Sequence, residues 1–187
     1  SANKTYFARW TGSSFSAAVA LNPTNIPVFA DSWAGPDIAS KGDTVYVVFK
    51  QTPEDTNHIY LVRSFNGGMN FSAPTRVDFI ADSICRFPTI TVNNSGNPEV
   101  GFMKFNPMFT NSRWVVAKSN DYGSTFQTDV KASGFSGGNV CDCCPGAILS
   151  SRNKTCMLYR DNLNNTRDIW AGISNDGSSA FSNGIDE

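Results

Sequence analysis

Apolar residues recur along the chain in short runs, at 44–50, 59–63, 99–104, 114–118, 155–160 and 169–173. Each run is rich in β-branched and aromatic residues and is bounded by Gly, Asn, Asp, Ser or Pro, the pattern of strands separated by tight turns. The runs at 59–63, 114–118 and 169–173 stand about 55 residues apart, and so do those at 44–50, 99–104 and 155–160. Each member of the second set follows a Gly/Asn/Lys turn signal, as the second arm of a hairpin does. Pro36, Pro88 and Pro145 precede short apolar stretches containing Ile38, Ile90 and Ile148, and open a third set. No segment carries helical periodicity of useful length.

The fixed spacing continues in the turns. Ser119, Asp121, Gly123, Thr125 and Phe126 fit the pattern S-x-D-x-G-x-T-F at every fixed position. A weaker copy holds Ser64, Asn66, Gly68 and Phe71, and a copy one residue shorter holds Ser174, Asp176, Gly177 and Phe181. A faint remnant lies at 11–15. Such a segment makes sense as a hairpin turn: Ser and Asp side chains bond nearby backbone N–H groups, Gly takes positive φ, and the terminal aromatic packs inward. It resembles the Asp box of sialidases and the broader BNR group. That resemblance implies an all-β fold, a β-propeller of four-stranded antiparallel blades. The repeat units are 36–80, 88–132 and 145–187, with a partial blade over 1–35. About three blades are too few to close a ring, so half of a six-bladed propeller is expected, completed by a second chain, a second copy or a missing half.

In the family the Asp boxes lie opposite the ligand pocket. The resemblance therefore places at the working end the loops that carry Asp31, Asp82 and Asp142, and the ends of the second strands at Lys50, Lys104 and Arg160, the last followed by Asp161. Arg86, Phe87 and Pro88 resemble the sialidase R-x-P motif, whose Arg grips the sialic-acid carboxylate. Segments around Cys141–Pro145, Tyr159–Asn162 and Arg167–Trp170 are similar to a bacterial branch of BNR proteins named sialidase-like. Convergent cations would suit an acidic sugar; alternatively, they bond loop carbonyls or pair with Asp82, Asp142 and Asp161. The family's acid/base Asp and its Tyr/Glu pair have no assignable counterparts here, since Asp121 belongs to a turn, so catalytic residues stay unassigned. Two functions follow: a glycoside hydrolase acting on sialylated or other acidic glycans, or a non-catalytic propeller binding carbohydrate or protein.

Composition narrows the setting. Of 187 residues, 40% are apolar and the net charge is −1, with 15 Lys and Arg dispersed along the chain. No basic patch for nucleic acid and no membrane-length apolar run is present in the sequence. The chain holds five cysteines, Cys85, Cys141, Cys143, Cys144 and Cys156. Their clustering fits an oxidising, extracytoplasmic setting, secreted or periplasmic, and favours a disulfide from the 141–144 segment to Cys85, Cys156 or a cysteine elsewhere. The alternatives are free thiols or a soft-metal site, with Met103 or Met108 near. No cofactor is implied. His58, the only histidine, aligns with strand-edge positions and reads as solvated.

Overall fold

The computed structural model describes residues 3–79, 84–175, 180–181 and 183–186. Fifteen strands, β1 to β15, run in chain order, and no helix occurs among the described residues. A short hairpin comes first, β1 (Tyr6–Phe7) with β2 (Val19–Ala20). Three antiparallel sheets follow, each laid down strand beside strand in sequence order. The first contains β3 (Asp37–Lys41), β4 (Thr44–Lys50), β5 (Ile59–Ser64) and β6 (Thr75–Arg76). The second contains β7 (Ile84–Val92), β8 (Pro98–Phe105), β9 (Arg113–Lys118) and β10 (Val130–Lys131). The third contains β12 (Ala147–Ser151), β13 (Lys154–Asn162), β14 (Ile169–Ser174) and β15 (Asn183–Asp186), and β11 (Asn139–Val140) pairs with the far end of β13.

The sheets stack face to face, which explains why their middle strands are apolar on both sides. In β4, Tyr46 and Val48 pack toward the second sheet, whereas Val45, Val47 and Phe49 pack against Leu21 and Val28 of the N-terminal segment. In β9, Val115 and Ala117 face the first sheet, and Trp114 and Val116 join Met157 and Tyr159 of the third. The first strands lie side by side, with β7 against both β3 and β12. Asp37 Oδ2 accepts bonds from Thr89 Oγ1 at 2.9 Å and from the Ile90 N–H at 3.0 Å. On the other flank, the Ser150 N–H donates to Thr91 Oγ1 at 3.1 Å. Side chains thus hold the inner strands together where no backbone ladder joins them.

The turns between third and fourth strands share one construction. Ser119 Oγ bonds Asp121 Oδ1 at 2.8 Å and accepts the Gly123 N–H at 2.8 Å. Asp121 accepts the Thr125 N–H at 2.9 Å and Thr125 Oγ1 at 2.7 Å. In the preceding sheet, Ser64 Oγ bonds Asn66 Oδ1 at 2.8 Å and accepts the Gly68 N–H at 2.9 Å. Gly123 and Gly68 have φ of 77° and 82°, which an L side chain rarely tolerates. Phe126 is buried in the core between the first two sheets. In the third copy, Asp176 and Gly177 lie outside the described residues.

Candidate functional site

Because each sheet runs up and down in sequence order, the β5–β6 and β9–β10 turns sit at one end of the stack. The opposite end holds the start of β7, the ends of β4, β8 and β13, and the 141–144 loop. There β7 is irregular: its pairing with β8 shifts register between Arg86 and Thr89, and Phe87 has φ of 52°. Such a bulge turns a side chain out of the regular alternation, and a positive φ at an aromatic residue is held only by its surroundings. The consequence is a cleft of about 320 Å³ lined by Trp33, Arg86, Phe87, Asp142 and Cys143.

Arg86 is the anchored group of this cleft. Its Nη2 lies 2.5 Å from Glu54 Oε2, and its guanidinium stands over the rings of Phe109, Trp33 and Phe105 at 5.3, 5.7 and 5.9 Å. Trp33 meets Phe87 edge to face at 5.4 Å. Burial pushes the Glu54 carboxyl above its ordinary range, and the charge of Arg86 pulls it back. Glu54, from the β4–β5 loop, was not legible as a site residue, since only the three-dimensional stacking brings that loop to β7. Trp33 lies in one of the loops the repeat register places at this end.

The expected ring of three cations is not formed. Lys50 is 2% exposed and bonds the Asn57 carbonyl oxygen and, at 3.4 Å, Cys85 Sγ. Lys104 holds both oxygens of Asp129 at 2.8 and 2.7 Å. Both are engaged inside the protein, as the alternative reading anticipated, although Asp129 replaces the acidic partners it named. Arg160 does reach the loop of interest, where its Nη1 donates to Cys144 Sγ at 3.5 Å. Asp161 lies beneath this face: it is 2% exposed, pairs with Val140 of β11, and Gly138 packs against its Oδ2. Asp82 lies outside the described residues. His58 keeps 31% of its side chain exposed and is fixed by Asp78, with Nδ1 and Oδ2 2.9 Å apart.

The expected disulfide is likewise absent from the geometry. None of the five cysteines is joined in a disulfide, and the sulfurs of Cys141, Cys143 and Cys144 are separated by 3.5, 3.2 and 3.7 Å, well beyond the ~2.05 Å of a bond. Cys85 is sealed beside Lys50 and Asp78, and burial pushes its thiol up to about 12. Cys141 is raised to about 11 by burial and by its neighbour Cys144. Burial also opposes ionisation of Cys144, but hydrogen bonds from Cys141, Arg160 and Cys143 outweigh it and hold that thiol below its ordinary value.

No protein-family profile and no curated protein sequence matches the chain. Solved structures do. A protein of unknown function from Dyadobacter fermentans superimposes with a TM-score of 0.67 at 15% identity, covering 97% of this chain and 50% of that one. An endo-arabinase from Bacteroides thetaiotaomicron gives 0.60 at 12%, covering 93% and 66%. A Trypanosoma rangeli sialidase gives 0.58 at 13%, covering 94% and 31%. The fold is therefore a sialidase-like β-propeller built of four-stranded antiparallel sheets, and the chain spans half the length of the Dyadobacter protein.

Proposed function

We propose that this chain supplies part of the ligand face of a sialidase-like propeller that acts as a glycoside hydrolase on sialylated or other acidic glycans. The observation that carries the reading is the cleft in which Arg86 and Asp142 stand beside the rings of Trp33 and Phe87. A sugar ring offers an apolar face to an aromatic side chain, and a guanidinium grips a carboxylate through parallel hydrogen bonds. Arg160 stands behind the 141–144 loop and adds positive charge to the same end. The remaining blades come from a second copy, a second chain or further sequence; the apolar outer face of the third sheet supports this, with Leu149 62% exposed and Ile169 47% exposed.

One observation favours a non-catalytic binding propeller as the second reading: the Arg86 guanidinium already has a carboxylate partner in Glu54. Titration of the wild type and Arg86→Ala with sialic acid and with a neutral sugar of similar size separates the possibilities, together with a fluorogenic sialoside assay. Preference for the acid is expected, and a loss of about tenfold or more in Arg86→Ala, as for a charge-assisted contact. Acid-selective binding without turnover assigns the chain to the second reading. Binding indifferent to both the carboxylate and the substitution contradicts an acidic-glycan site.

A further inference from the structure

We propose that Cys141, Cys143 and Cys144 form a site for one thiophilic metal ion, with a coordination position left open to the cleft beside Asp142. Three sulfurs mutually 3.2 to 3.7 Å apart already surround one point. Thiolates bound to zinc at ~2.3 Å with tetrahedral angles lie roughly 3.8 Å from one another, so adjustments of a few tenths of an ångström complete the arrangement. A disulfide requires one pair to close by more than an ångström and leaves the third sulfur stranded beside it.

The site is held from outside as well. The Cys141 N–H donates to the Arg160 carbonyl at 2.9 Å, and Arg160 Nη1 reaches Cys144 Sγ at 3.5 Å. One residue thus fixes both ends of the loop, as outer partners of metal ligands do. Its charge also completes the balance: three thiolates, one divalent ion and one guanidinium sum to zero, whereas a monovalent ion leaves one negative charge. Thiolate ligands select zinc(II) and copper(I) over hard cations, and the charge balance favours zinc(II). Among the described residues, the cluster contains these three donors and no His or carboxylate. Cys143 is exposed and lines the cleft with Trp33, Arg86 and Asp142. Three protein ligands and an open fourth position are what a metal needs to take water or a ligand oxygen.

This inference is independent of the glycan reading, and its test uses no sugar. The full chain is reduced, freed of reductant without oxygen, and titrated with cobalt(II) and zinc(II) against a chromophoric chelator, with copper(I) in parallel. The expected result is one ion per chain and a thiolate-to-cobalt charge-transfer band that is lost in Cys143→Ser and Cys144→Ser but kept in Cys156→Ser. Arg160→Ala should weaken binding by about tenfold or more. Alkylation of the wild type guards against misfolded variants: bound zinc must protect Cys141, Cys143 and Cys144 while leaving Cys156 labelling unchanged. Copper(I) held by the same three sulfurs supports the site and changes the ion. No stoichiometric binding by the reduced chain, unprotected cysteines, or a disulfide within 141–144 that forms despite stoichiometric zinc overturns it.

Discussion

At the residue scale, identical positions in the repeat meet different fates because their neighbours differ. Lys50, Lys104 and Arg160 all end or nearly end second strands, yet Lys50 is sealed against Cys85, Lys104 is locked on Asp129, and only Arg160 reaches the cysteine loop. The sequence shows the shared position; the partner is a property of the packed molecule. Asp121 is the opposite case, since all its partners lie within a few residues and its role is readable from the motif. Its pKa falls from 3.8 to about 2, chiefly through the Thr125 hydroxyl and backbone N–H. A carboxyl depressed in the folded state adds stability above its unfolded value, and that contribution fades as pH falls from about 4 to about 2. Asp121→Ala should thus cost about 1 kcal/mol near neutrality, with wild type and variant converging in urea titrations near pH 2; a constant gap contradicts the assignment. Glu54→Gln frees Arg86 of its charged partner and should raise affinity for an acidic sugar by about tenfold, equivalent to about 1.4 kcal/mol. A lower affinity in a folded Glu54→Gln protein would indicate that Glu54 positions Arg86 for the ligand. In the metal-free protein, Cys143 should be alkylated well before Cys85, because one thiol is exposed and the other is buried with its pKa near 12. Early labelling of Cys85 in folded protein contradicts the packing around Lys50.

At the element scale, strands whose signals are local were legible. The 44–50 run coincides with β4, and the runs at 59–63, 114–118 and 169–173 match β5, β9 and β14 to within a residue. β7 was read short. Pro88 marks a strand start by the usual rule, but the strand begins at Ile84, and the register shift between Arg86 and Thr89 accommodates the proline. That shift also aims Arg86, so the misread boundary and the site share a cause. Glycine at 172 reflects contact between sheets: a Cβ there would lie 2.0 Å from the Ala132 carbonyl oxygen. Backbone cannot yield as a flexible side chain does, so Gly172→Ala should cost about 1–3 kcal/mol by overpacking. Equilibrium unfolding checks this, and an unchanged midpoint would mean that the second and third sheets sit farther apart than described.

At the scale of the whole molecule, the repeat made the succession of four-stranded sheets readable, because each is a local unit with its own turns. The same register brings the loops that carry Trp33, Arg86 and Asp142 to one end, whereas the stacking that presents Glu54 to Arg86 was not readable. It also leaves two chemically distinct ends. One carries the aromatic and guanidinium cleft; the other carries the Asp121 turn and a polar cleft of about 200 Å³ that includes Asn93, Lys118 and Asn153. The assignment of the ligand face is tested most directly by mapping backbone amide shifts of the isotopically labelled chain during titration with sialic acid. Shifts concentrated at Trp33, Arg86, Phe87, Asp142 and Cys143, with the Asn93, Asn120 and Asn153 amides unmoved, are the predicted result. Shifts confined to the Asn93, Asn120 and Asn153 end, or none at either end at saturating sugar, would contradict it.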